Sequence, residues 1–74
     1  MNPIMDVLKK IAHNHDLAII WQRQRTPGDN FYFYYAKFGG DPEEVKEATL
    51  DFCENSISDE VSKDGAFFVW VEKE

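Results

Sequence analysis

The sequence predicts the α+β class: one small two-layer domain of order αββαβ, with a three-stranded, mostly antiparallel sheet in strand order 2-1-3 packed with two helices. Three observations predict it. Apolar residues recur at helical spacing near the N-terminus and again after Asp41. They alternate with a period of two around Leu17–Gln24, Phe31–Phe38 and Ala66–Val71, where β-branched and aromatic residues dominate. A hydrophobic content of 43% with 15% aromatics is too high for a disordered chain, while 74 residues suffice for one core only.

The first helix is expected over Pro3–Asn14. Asn2 is placed to cap it, Pro3 fits the first turn, and Ile4, Leu8, Ile11 and His15 share one face with Val7 and Ala12 beside them. Asn14 suits a left-handed terminator. The first strand follows from Leu17 through Gln24, and Arg25-Thr26-Pro27-Gly28-Asp29-Asn30 supplies the turn into an aromatic second strand. That strand carries Phe31, Phe33 and Tyr35 on one side and Tyr32, Tyr34 and Phe38 on the other. Gly39-Gly40 ends it.

The long second helix, Asp41 to about Ile57, has the strongest start signal in the chain. Asp41 is an N-cap residue, Pro42 fits the first helical position, and Glu44 stands where a capping-box carboxylate belongs. Val45, Ala48, Thr49, Phe52, Cys53 and Ser56 fall on one arc, widened by Leu50 and Ile57, so Cys53 reads as a small core residue. Ser58–Ser62 fits either a last helical turn or a separate short helix capped by Ser58. Lys63-Asp64-Gly65 reads as a break before the third strand, and Glu72-Lys73-Glu74 as a solvated tail. A strand-helix-strand passage is normally right-handed and parallel, which sets the third strand beside the first. Phe67, Val69 and Val71 then suit the helix-covered face.

Charge is segregated along the chain. The net charge is -6, yet residues 1–40 carry five cations against three carboxylates, and residues 41–74 carry three lysines against eleven. Such a field repels nucleic acid and attracts basic protein surfaces, so the expected partner is a protein with a basic surface, not nucleic acid itself. No apolar run approaches the length of a membrane span, and the N-terminus lacks a signal-peptide pattern. With Cys53 as the lone cysteine, a reducing, cytoplasmic compartment fits.

No catalytic motif, phosphate-cradling glycine loop or cofactor fingerprint occurs, and the expectation is a non-enzymatic protein with no cofactor. His13, His15 and Asp16 fall short of a metal site because no further ligand is placed beside them. Two candidate surfaces remain. The first is an acidic helix ridge of Glu43, Glu44, Glu47, Asp51 and Glu54, whose carboxylates recur every ~5–6 Å, comparable with phosphate spacing. It suits an inhibitor or modulator that occupies a basic nucleic-acid-binding surface. The second is an aromatic sheet face of Tyr32, Tyr34, Phe68 and Trp70, which suits a homodimer or an assembly subunit.

In small size, acidic capped helix and short sheet, the whole chain resembles the heterogeneous small phage-encoded inhibitors of host defence, including nucleic-acid-mimicking anti-CRISPR proteins. The resemblance is one of character, and no functional residue carries over from it. It implies a viral origin, a location in the host cytoplasm, and steric blocking of a host nuclease or surveillance complex.

Overall fold

The computed structural model describes residues 3–28 and 30–73. The expected Asn2 cap, Asp29 of the turn and Glu74 of the tail lie outside the described residues. Helix α1 spans Pro3–Asn14, strands β1 and β2 span Ala18–Arg25 and Phe31–Gly39, and helix α2 spans Pro42–Cys53. A 3₁₀ turn, Ser56–Glu60, leads into β3 (Ser62–Asp64) and β4 (Phe67–Lys73). The class is α+β as expected, but the sheet has four strands in the order β1-β2-β4-β3, all pairs antiparallel.

The expected three-stranded sheet of order 2-1-3 is therefore wrong in two respects. Lys63-Asp64, read as a break, forms a short strand that turns back onto β4 through Gly65-Ala66. Gly65 has φ 64°, and among the described residues Asp16 alone has a positive φ without being glycine, which gives the II′ hairpin pattern. This added hairpin and the 3₁₀ turn carry the chain back, so β4 starts beside the end of β2 and pairs with it, not with β1. The crossover rule for parallel strands consequently never applies. β2, the most aromatic strand, becomes central, and β1, with Gln22, Arg23, Gln24 and Arg25, takes the edge, where charge is tolerated.

Helix α1 ends in a Schellman motif. The Leu17 N–H donates to the Ala12 carbonyl at 2.8 Å and the Asp16 N–H to that of His13 at 3.2 Å. Asp16, with φ 55°, is the left-handed residue, in place of the expected Asn14, and His15 becomes the helix C-cap. Helix α2 is shorter than expected. Its Asp41 cap accepts from the Glu44 N–H at 3.2 Å, and it stops at Cys53. Asn55, not Ser58, then caps a separate 3₁₀ turn by accepting from the Ile57 N–H. Between β2 and α2, Gly40 is required by its φ of 146°, and a Cβ there would also push aside the end of the Leu17 side chain, whose Cδ2 it would meet at 2.6 Å.

The core lies between the sheet and both helices: Ile4, Met5, Leu8 and Ala12 of α1, Ala48 and Phe52 of α2, and Tyr34, Ala36, Phe38, Phe68 and Trp70 of the sheet. The buried strand residues share one parity, so a single sheet face is covered. Phe68 stands edge-on to both Phe38 and Phe52, with centroids at 5.5 and 5.0 Å. Ala36 and Ala48, both fully buried, leave room for these rings. Cys53 and Leu50, read as core positions, are exposed because α2 presents a narrower apolar stripe than the arc predicts.

Phe52→Ala should therefore lower the unfolding free energy by about 3–5 kcal/mol in urea titrations. Leu50→Ala, although it deletes as apolar a side chain, should change it by less than about 0.5 kcal/mol.

Candidate functional site

The acidic helix divides into two stripes. At 100° per residue, Glu43, Glu47 and Glu54 fall within one narrow arc, and Glu44 and Asp51 fall on the neighbouring arc. That second arc leans towards the end of α1, where His15 bridges both carboxylates. Its Nδ1 lies 3.0 Å from Glu44 Oε2 and its Nε2 lies 2.5 Å from Asp51 Oδ2. Carboxylates only accept, so this geometry is completed by an imidazolium donating from both nitrogens. The expected capping-box role of Glu44 is given up in favour of this bridge. The cation also sits on the carbonyl end of α1, where positive charge is favoured.

The hydrogen bond to Asp51, then that to Glu44, holds the His15 pKa above its ordinary value of 6.5, with the two negative charges adding to the effect and partial burial opposing it. Of the five predicted ridge residues, Glu43, Glu47 and Glu54 remain as exposed carboxylates without a His15 contact. Among the described residues, no group of three or more His, Cys, Asp or Glu side chains is arranged to hold a metal ion.

The aromatic candidates are placed differently from the expectation. Tyr34, Phe68 and Trp70 are buried beneath the helices and Tyr32 is half-buried beside them, so they form core and not an exposed face. The open face carries the opposite parity. Across its rows, Ile20, Lys37 and Phe67 lie side by side, then Gln22, Tyr35 and Val69, then Gln24, Phe33 and Val71. Phe31 pairs with Lys73 at the far end. Ile20 is 51% exposed, Val71 47%, Phe67 43% and Phe31 42%. The residues missed were thus Phe31, Phe33, Tyr35, Phe67, Val69 and Val71, which Ile20 joins on the uncovered side. The signal was present in the polar residues, since Gln22, Gln24, Lys37 and Lys73 all share the parity of Phe33 and Val71.

Cations border both faces of the sheet. Lys37 stands 5.5 Å over the Phe67 ring, Arg23 4.5 Å over Tyr32, and Lys9 5.8 Å over Trp21. On the open face Lys37 and Lys73 stand at the two ends of the apolar stripe and Asp64 lies beside Phe67, while the acidic stripe of α2 lies on the helical side of the sheet. Among the described residues, no helix is long and apolar enough to cross a membrane. Comparison with protein-family models, curated proteins and solved structures finds no match to this chain.

The His15 bridge carries a pH dependence. Because its pKa is raised in the folded chain, the bridge contributes fully below the unfolded value of 6.5 and is lost as pH rises through the folded value. The urea midpoint should therefore fall as pH is raised from about 6 towards about 9, and His15→Gln should flatten that slope.

Proposed function

We propose that the chain is a non-catalytic docking protein whose principal contact is the open face of its sheet. One observation carries this reading: a contiguous apolar face built from Ile20, Phe31, Phe33, Tyr35, Phe67, Val69 and Val71 is left uncovered by the helices. Patches of this kind, rimmed by polar groups, mark protein-binding sites in soluble domains. Aromatic side chains supply most of the affinity at such contacts. The bordering Lys37 and Lys73 fit a protein partner with an apolar centre flanked by carboxylates. A lone cysteine fits work in a reducing compartment such as the cytoplasm.

A second reading rests on the exposed stripe Glu43, Glu47 and Glu54. It would have the chain occupy a basic, nucleic-acid-binding surface, in the manner of the phage-encoded inhibitors that it resembles. The loss of Glu44 and Asp51 to His15 weakens this reading, because two of the five ridge charges are partly neutralised within the chain.

Paired variants separate the two. Phe33→Lys with Val71→Glu should lower retention of a directly binding protein at least about tenfold while preserving the circular dichroism spectrum. Glu43→Lys with Glu47→Lys and Glu54→Lys should leave that retention within about threefold, since charges remote from an interface act weakly through screening solvent. The reverse pattern would move the contact to α2.

A further inference from the structure

On the reading of the open face as the docking contact, we infer that its anchor point is a hollow beside Tyr35 that takes a carboxy-terminal aromatic residue of the partner, with the ring against Phe67 and the carboxylate on Lys37. The hollow measures about 310 Å³ and is lined by Ile20, Trp21, Gln22, Tyr35, Lys37 and Phe67. All but Trp21 share the parity of the open face, and Trp21 borders the hollow from the strand edge, its ring within reach of Lys9 on the helical side. Such a volume lies at the small end of ligand sites, with room for about one aromatic residue.

The neighbouring rows shape it. Gly39 has no side chain, and Ile20 leans over it: a Cβ on Gly39 would stand 3.0 Å from Ile20 Cδ1. Ile20 is thereby drawn towards the row of Ala18 and Gly39 and away from Gln22. Phe67, 43% exposed, lies on the other side of the central strand. Between them Tyr35 and Lys37, two residues apart on β2, stand on the same face.

The lining side chains choose the occupant by what they can donate. The Lys37 ammonium stands 5.5 Å over the Phe67 ring, and among the described residues no carboxylate pairs with it. A ring face attracts the cation without consuming its three N–H donors. Gln22 and Tyr35 bring an amide and a hydroxyl, so every polar side chain that lines the hollow can donate and none is acidic. Asp64 lies beyond Phe67 in the same row, which turns an incoming carboxylate towards Lys37. The walls thus suit a ring and the polar groups suit an anion. In a space of about one residue both must belong to the same residue. No aromatic side chain carries a carboxylate, so in a polypeptide only an aromatic residue at the carboxyl end supplies the pair.

The chain is titrated with three acetylated peptides while its backbone amide resonances are followed: Gly-Ser-Gly-Ser-Trp with a free carboxylate, the same peptide as its amide, and Gly-Ser-Gly-Trp-Glu as its amide. The free carboxylate should bind at least about fivefold more tightly than either amide and shift the resonances of Ile20, Gln22, Tyr35, Lys37 and Phe67. Lys37→Met keeps the apolar stem and removes the charge. It should erase the preference for the carboxylate and leave the affinity for the first amide within about threefold. Lys37→Gln gives the same comparison if the methionine variant does not fold.

No shift with any peptide up to about 10 mM, equal affinity for the free carboxylate and either amide, or a preference that survives loss of the Lys37 charge would overturn the assignment. Phe33→Lys with Val71→Glu, one row beyond Tyr35, reports on the docking face separately. Loss of partner retention in that variant, with equal peptide affinities in the parent chain, leaves the docking face standing and sinks the anchor. Selective peptide binding with retention unchanged sinks the docking face and keeps the hollow.

Discussion

Two helices of twelve residues each can cover only one face of a four-stranded sheet, and the rest of the molecule follows from that limit. At 1.5 Å per residue each helix is about 18 Å long, shorter than the roughly 30 Å of a nine-residue strand such as β2. The covered area is therefore the half of the sheet around Tyr34, Ala36, Phe38, Phe68 and Trp70. The far half of the β1–β2 hairpin projects beyond the helices. This shows in a 40 Å long axis against 22 and 21 Å, and in a radius of gyration of 12.3 Å where a compact chain of this length has about 11 Å.

The same limit explains which parts of the fold were legible in the sequence. Features set by neighbouring residues were readable: the bounds of α1, the Asp41-Pro42 start of α2, the β1–β2 hairpin and the two-sided aromatic pattern of β2. Features set by competition between distant segments were not. Which parity of β4 enters the core depends on whether Phe68 and Trp70, or Phe67 and Val71, fit beneath α2. The fully buried Ala36 and Ala48 decide this by leaving space for large rings. Alternation alone cannot weigh that, because both parities of β4 are apolar. β3 was missed for a related reason: a three-residue polar edge strand carries no periodic signal, and its pairing with β4 is its only mark.

The charged groups show a similar division. The acidic character of α2 could be counted in the sequence, but its partition into a free stripe and a bridged one depends on His15, 29 residues before Glu44 and 36 before Asp51. The Schellman turn at Asp16 sets the C-cap residue against the start of α2. A histidine that reads as helix-end chemistry in the sequence thereby becomes a tie between the two helices that form the cover. Its loss would loosen the layer on which the one-sided core depends, which links the charge pattern of α2 to packing as well as to recognition.

The exposed apolar face and the long free edge are two consequences of the same shortage of cover, and the chain tolerates them through charge. A net charge of -6 concentrated on the helical side makes copies repel as they approach helix to helix. The sheet side carries Lys37, Lys73 and a single carboxylate beside Phe67, Asp64, so its charge is mixed where that of α2 is acidic. The acidic stripe of α2 and the apolar face therefore lie on opposite sides of the sheet, so a partner seated on the open face is kept away from the negative charge of the helices.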